Sequence, residues 1–329
     1  MQLKKFLPSF SIRRFLSRRS RTKPTDSEPL TPQPPTLATG LNPGMLGLCD
    51  PVVNPEDADI DIVFVHGLHG DRFNTWVQDG CFWPKDFLSA DLPKTRIFSF
   101  GYHAELVNFF GDVSQNQIYH HASDLITQLQ GFRSHTDTSN RPIILVAHSL
   151  GGLICEQAIH SFHDAQEEGR RTVARSIRKI AFLGTPHEGS DKAAWGEIAR
   201  RFARLFTVTN PSLLSYLGEH SELLLNLERD FQHFLRHNTN TEKEVEVMCF
   251  TEGLPTVISG VNMGYIVTKK SASYAAHPTI SLHADHRSMC KFKTKDDENY
   301  QRILSVLKGW VKAPRDSPER ELEHSPHLF

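Results

Sequence analysis

The sequence predicts an α/β domain: a mostly parallel sheet with helices on both faces and a helical insertion between late strands. Three observations carry this reading. Short apolar runs rich in β-branched residues, near 59–65, 96–100, 143–147, 177–183, 245–251 and 279–282, alternate with stretches whose apolar residues recur at helical spacing. The run Ile143-Ile144-Leu145-Val146-Ala147 passes through His148-Ser149-Leu150 into Gly151-Gly152 and an apolar helical segment, which reads as buried strand, sharp turn and helix start. The 329 residues are 39 % hydrophobic and 23 % charged, enough for a sizeable core, while no apolar run approaches the roughly 20 residues that span a bilayer.

Taken in order, residues 1–23 differ from the rest. Lys4, Lys5, Arg13, Arg14, Arg18, Arg19, Arg21 and Lys23 precede the first acid, Asp26, and Leu3, Phe6, Leu7, Phe10, Ile12, Phe15 and Leu16 lie among them with four serines. That composition fits a mitochondrial transit segment, a segment lying on an anionic membrane surface, or a basic tail. Residues 24–55 are rich in Pro, Thr and Ser and read as a linker, so 1–57 is expected to lie outside the domain. The domain is expected over 58–312. A strand at 59–65 runs into His66-Gly67-Leu68-His69-Gly70, and a second at 96–100 precedes an amphipathic helix at 115–130, with Ile118, Ala122, Leu125 and Leu129 on one face. Trp76 and Trp83 are read as core. After the strand at 177–183 come two helices, one bearing Trp195, Ile198, Phe202 and Leu205, the other Leu223, Leu224, Leu227, Phe231 and Phe234. They fit either a lid over a site or ordinary helices packed on a sheet. A strand ending at Thr251 meets Glu252-Gly253, a short strand at 279–282 precedes Asp285-His286, and a helix at 298–311 closes the domain, followed by a polar tail at 313–329.

The chemistry sits in the turn. Ala147-His148-Ser149-Leu150-Gly151 has the small-x-Ser-x-small pattern of a nucleophile elbow, with Ala147 where a glycine is usual. The residues two before and two after the serine must be small because the tight turn brings them together, and Ser149 is expected to project from it, exposed. The turn also aims the Leu150 backbone N–H at the position of a substrate oxyanion, beside a helix N-terminus. The glycine-rich loop after the first strand supplies a second donor, the N–H of Leu68, while the His66 side chain is read as bonding nearby backbone. The base is assigned to His286, on the loop after the last strand, ahead of His283, His277 and His187. For the acid, Glu252 is favoured because it directly follows an apolar strand, with Asp191 the alternative. Asp285 is adjacent to His286 and so points away from it, and Asp297 breaks the order serine, acid, histidine.

The net charge of −1 argues against nucleic acid as a partner. Cys49, Cys81, Cys155, Cys249 and Cys290 are scattered with no C-x-x-C pair, and the 18 histidines show no metal-ligand spacing, so neither a disulfide framework, a metal nor any cofactor is expected.

Phe64-Val65-His66-Gly67-Leu68, Ala147-His148-Ser149-Leu150-Gly151-Gly152, Gly184-Thr185-Pro186-His187-Glu188-Gly189-Ser190 and Ala284-Asp285-His286 together resemble the serine-active-site-containing protein family. These are lipase-like α/β-hydrolases, also found at the N-terminus of fungal NACHT, ankyrin and TPR proteins. The resemblance spans about 60–311. It implies the α/β-hydrolase fold, a serine hydrolase, lipid or ester substrates, and a mitochondrial or endoplasmic-reticulum membrane location, with a cytoplasmic one as the alternative. One departure concerns the acid. Related lipases place an Asp-Gly pair in the stretch that here reads Asn262-Met263-Gly264-Tyr265-Ile266-Val267-Thr268-Lys269-Lys270-Ser271-Ala272, without a carboxylate. The reading is thus a carboxylic-ester hydrolase with Ser149, His286 and Glu252 as triad; an acyltransferase or a non-catalytic module of the same fold are the alternatives.

Overall fold

The structure, a computed structural model, describes residues 46–104, 114–187, 192–205, 222–241, 244–274 and 276–312. The strands in chain order are β1 (Gly47–Leu48), β2 (Ile60–Val65), a small ribbon of β3 (Val77–Gln78) and β4 (Cys81–Phe82), β5 (Thr95–Gly101), β6 (Ile143–His148), β7 (Ile177–Leu183), β8 (Glu246–Glu252), a hairpin of β9 (Thr256–Ile258) and β10 (Val261–Gly264), and β11 (Thr279–Leu282). The helices are α1 (Trp83–Asp86), α2 (Leu88–Asp91), α3 (Ser114–His135), α4 (Gly151–Phe162), α5 (Glu168–Ser176), α6 (Lys192–Leu205), α7 (Glu222–Asn238) and α8 (Glu298–Lys312).

Seven strands form one sheet in the order β1-β5-β2-β6-β7-β8-β11, parallel throughout except for the antiparallel β1. The central strands β2 and β6 are buried on both faces and run almost continuously apolar rather than alternating. Val63 and Val65 pack under α3, α4, α6 and α7, whereas Ile62 and Phe64 pack with Trp76, Trp83 and α8. The two tryptophans meet Phe64 edge-on at 5.0 and 5.1 Å, so they are core, as read. At the amino edge the buried Asp61 carboxylate accepts from Arg96 and Arg133, which ties α3 to the sheet.

The register lines up the carboxyl ends. Val65 pairs with Phe100 and Ala147, His148 with Leu183, and Leu282 with Glu252. From β2 the chain steps to one side of the sheet and from β6 to the other, so the loops after these neighbours diverge and leave a crevice where ligands bind in open α/β sheets.

Two elements depart from the sequence reading. The sheet begins before residue 58: Gly47 and Leu48 pair with Gly101 and Phe100, Val53 bridges to Ile97, and Cys49 is buried. A two-residue edge strand is too short to show any periodicity within a Pro- and Thr-rich stretch. The β9–β10 hairpin was not anticipated either. Its Ser259-Gly260 turn has φ of 49° and 79°, the paired left-handed conformation that matches strand twist in a two-residue hairpin loop. Among the described residues no helix is long and apolar enough to cross a membrane.

Candidate active site

Ser149 sits between the last residue of β6 and the start of α4, with φ +54°, a left-handed backbone that a non-glycine residue rarely adopts. Two close approaches hold it there. A Cβ on Gly151 would lie 2.1 Å from the His66 carbonyl oxygen, and one on Gly67 would lie 2.6 Å from the Ser149 Cβ. The Ser149 N–H donates to Leu183 O at 2.8 Å, and the Thr185 hydroxyl donates to Ser149 O at 2.9 Å. The glycines therefore do what the pattern requires, while Ala147 lies inside β6. Ser149 is not exposed, contrary to expectation: it is 1 % accessible. His286 covers its hydroxyl, and the Phe202 ring of α6 stands edge-on to the His286 ring at 5.3 Å.

Ser149, His286 and Glu252 form one hydrogen-bonded line. The Ser149 hydroxyl lies 2.9 Å from His286 Nε2, and His286 Nδ1 lies 2.9 Å from Glu252 Oε1. All three are buried. Glu252 is the last residue of β8, which ends one residue later than read, and its carboxylate also accepts the backbone N–H of Ile266 at 3.0 Å and of Val267 at 2.7 Å. With the Nδ1–H of His286 donating a hydrogen bond to Glu252 Oε1, Nε2 presents a lone pair toward the serine hydroxyl. The His148 ring fixes the backbone of His286, its Nε2–H donating to His286 O at 2.9 Å. Burial depresses the His148 pKa to about 3, so the ring stays neutral.

The N–H groups of Leu68 and Leu150 donate to no acceptor among the described residues, although both residues are buried. His66 behaves as read. Its Nδ1–H donates to Gly67 O at 2.9 Å, its Nε2 accepts the Tyr102 N–H at 3.2 Å, and burial lowers its pKa to about 4. Asp285 and Asp297 have other work: Asp285 accepts from the N–H groups of Arg287 and Ser288, and Asp297 caps α8 through those of Asn299 and Tyr300. Asp191 lies outside the described residues. Among those described, no cluster of three His, Cys, Asp or Glu side chains is placed to hold a metal.

Sequence reasoning missed the N–H clamp of Ile266 and Val267, because backbone donors leave no residue signature. It also missed Glu156, which packs with His187 and Tyr274 inside the domain. A signal existed there: a carboxylate on the buried face of an otherwise apolar helix, flanked by Ile154, Cys155, Ala158 and Ile159.

Residues 56–272 match the family described as "Putative serine esterase (DUF676)". The chain belongs to this family. The match contains Ser149 and Glu252 and ends before His286. The chain is similar to Protein SERAC1 of Bos taurus, 28 % identical over 285 residues covering 80 % of this chain and 40 % of that protein. It is similar also to Protein SERAC1 of Homo sapiens, 29 % identical over 269 residues covering 75 % and 38 %. It thus spans about two fifths of these curated relatives. Among solved structures it is similar to a soluble variant of monoglyceride lipase from Saccharomyces cerevisiae, with 14 % identity, 85 % of this chain and 97 % of that one covered, and a TM-score of 0.47. An esterase from Pyrococcus furiosus aligns at 14 % identity over 77 % and 83 %, with a TM-score of 0.46. The parallel sheet, the strand-turn-helix at Ser149 and the family membership make the domain an α/β-hydrolase of the serine esterase type.

Proposed function

We propose that this domain hydrolyses carboxylic esters, with lipid acyl esters as the substrate class, through Ser149, His286 and Glu252. The observation that carries the reading is the unbroken hydrogen-bond line from the Ser149 hydroxyl through His286 to Glu252. Ser149 attacks the acyl carbon while His286 Nε2 takes its proton. The imidazolium so formed is stabilised by Glu252 and then protonates the departing alkoxide. Water, deprotonated by His286, releases the acid in the second half. The unengaged N–H groups of Leu68 and Leu150 support the oxyanion role. Ser149 and His286 are buried and the Phe202 ring of α6 stands against the His286 ring, which supports the lid reading of the β7–β8 insertion, with α6 moving to admit an ester.

The test is Ser149→Ala assayed on a short p-nitrophenyl ester and on an emulsified acylglycerol. Turnover of both is expected to fall to background with the melting temperature unchanged. Activity within a few-fold of wild type would remove Ser149 from the mechanism.

We propose further that residues 1–23 bring the domain to a mitochondrial or endoplasmic-reticulum membrane surface, on the strength of eight cations without an acid. A fluorescent protein carrying residues 1–57 is expected to colocalise with one of these membranes. A diffuse cytosolic signal would contradict it.

A further inference from the structure

Helix α4 carries a carboxyl group that the proposed chemistry does not use. Glu156 lies two turns beyond Ser149 and is fully buried. Its Oε1 accepts the Tyr274 hydroxyl at 3.0 Å and stands 2.7 Å from His187 Nδ1, and its Oε2 has no partner among the described residues. Burial raises its pKa well above the carboxylate range, opposed more weakly by the Tyr274 hydroxyl. Burial thus favours the uncharged form of the group. The titratable side chains around it are His187 after β7, Tyr274, Cys155 beside it on α4, and Cys249 of β8, whose Sγ is 3.8 Å from His187 Nε2.

Its two partners anchor one stretch of chain. The His187 backbone N–H donates to Ser271 O at 2.6 Å, and the tyrosine ring lies 4.2 Å from the His187 ring. Between them the chain turns tightly, Ala272 N–H donating to Thr268 O at 2.9 Å. The near end of the same stretch supplies the two N–H groups, of Ile266 and Val267, that hold Glu252. The bonds close a ring: Ser149, α4, Glu156, Tyr274 with His187, residues 266–271, Glu252, His286 and back to Ser149.

We propose that Glu156 is a positioning residue for the acid of this site: through Tyr274 and His187 it fixes the 266–274 segment whose N–H groups aim Glu252 at His286. The proposal rests on the Ser149-His286-Glu252 reading. It explains why a carboxyl group is kept, half unpartnered, in an apolar helix, at a desolvation cost a leucine would avoid.

The experiment uses the full chain with Glu156→Gln, Glu156→Leu and Tyr274→Phe. The readouts are kcat and KM for p-nitrophenyl acetate against pH, and the proton resonance of the His286 Nδ1–H, identified by its loss in Glu252→Gln. Glu156→Gln keeps the Oε1 acceptor and is expected to stay within about threefold of wild type, less than the loss of one hydrogen bond. Glu156→Leu is expected to lose about tenfold or more in kcat with KM unchanged. The acid limb of its profile should move to lower pH, because a His286 imidazolium with a displaced Glu252 is easier to deprotonate; His148, the other titratable ring beside it, is neutral throughout. The Nδ1–H resonance should shift upfield. Tyr274→Phe removes one hydroxyl in an intact aromatic cluster, should change both readouts in the same direction, and decides the matter if the leucine variant does not fold. Folded Glu156→Leu and Tyr274→Phe proteins with unchanged acid limb and resonance would overturn the proposal, even if kcat fell. A failure of the triad reading shows elsewhere, as turnover that survives Ser149→Ala and Glu252→Gln, and the proposal would fall with it.

Discussion

At the scale of the residue, the decisive group is Glu252. Three of the four candidate carboxylates, Glu252, Asp285 and Asp297, lie among the described residues, and the partners of their oxygens differ. Glu252 Oε1 faces His286 Nδ1, and both its oxygens accept main-chain N–H groups, which fix the orientation of the carboxyl group. Asp297, by contrast, caps α8. The two substitutions should separate cleanly. Glu252→Gln keeps the shape and is expected to lower kcat by about 10⁴, as an imidazole held in the wrong tautomer does in such triads. Asp297→Ala should leave kcat unchanged while lowering stability by about 1 kcal/mol, the usual effect of a lost N-cap. Parallel kinetics and thermal melts check both, and a kcat loss confined to Asp297→Ala would reverse the assignment. That Glu252 is a candidate acid was legible from its position after an apolar strand. Its clamp was not, since the donors are the N–H groups of Ile266 and Val267, which any residue type could supply.

At the scale of the element, the strand-turn-helix at Ser149 is a steric device. The small residue after the serine is required because the chain crosses the His66 carbonyl there. Gly151→Ala places a methyl 2.1 Å from that oxygen, a contact only backbone displacement can relieve. The expected result is a loss of about 1–3 kcal/mol in stability with turnover near background. Denaturant melts and ester assays test it, and a fully active Gly151→Ala protein would show that the turn relaxes without consequence. Long periodic elements such as α3 and α8 and the buried strands β2, β6 and β7 were readable because one repeated spacing reports one buried face. The edge strand β1 and the β9–β10 hairpin were not, because two to four residues carry no period and their order comes from the partners they meet.

At the scale of the whole molecule, burial of uncharged histidines sets how stability follows pH. His66 and His148 have folded-state pKa values of about 4 and about 3, both lowered chiefly by burial from the ordinary 6.5. Below pH 6.5 the unfolded chain binds protons that the folded chain refuses. Their contribution is therefore fully present above pH 6.5 and declines as pH falls toward 4. Each ring removes at most about 1.4 kcal/mol per pH unit in that window. The melting temperature should accordingly drop between pH 6.5 and 5, and a His148→Gln protein should show a shallower decline. An identical decline in that variant would assign the effect to other groups.

The sequence by itself determined the layered α/β architecture, the serine in its turn and the candidates for base and acid. These depend on local rules: spacing of apolar residues, small residues where the backbone folds on itself, and chain order along a parallel sheet. The tertiary structure decided what depends on distance between remote segments. It brought His286 across 137 residues to Ser149, gave Glu252 two backbone donors beside His286, buried Ser149, and set Glu156 against Tyr274 at a separation of 118 residues. A hydrogen bond is made or lost within a few tenths of an ångström, and only the packing of the two helical layers on the sheet fixes positions that finely.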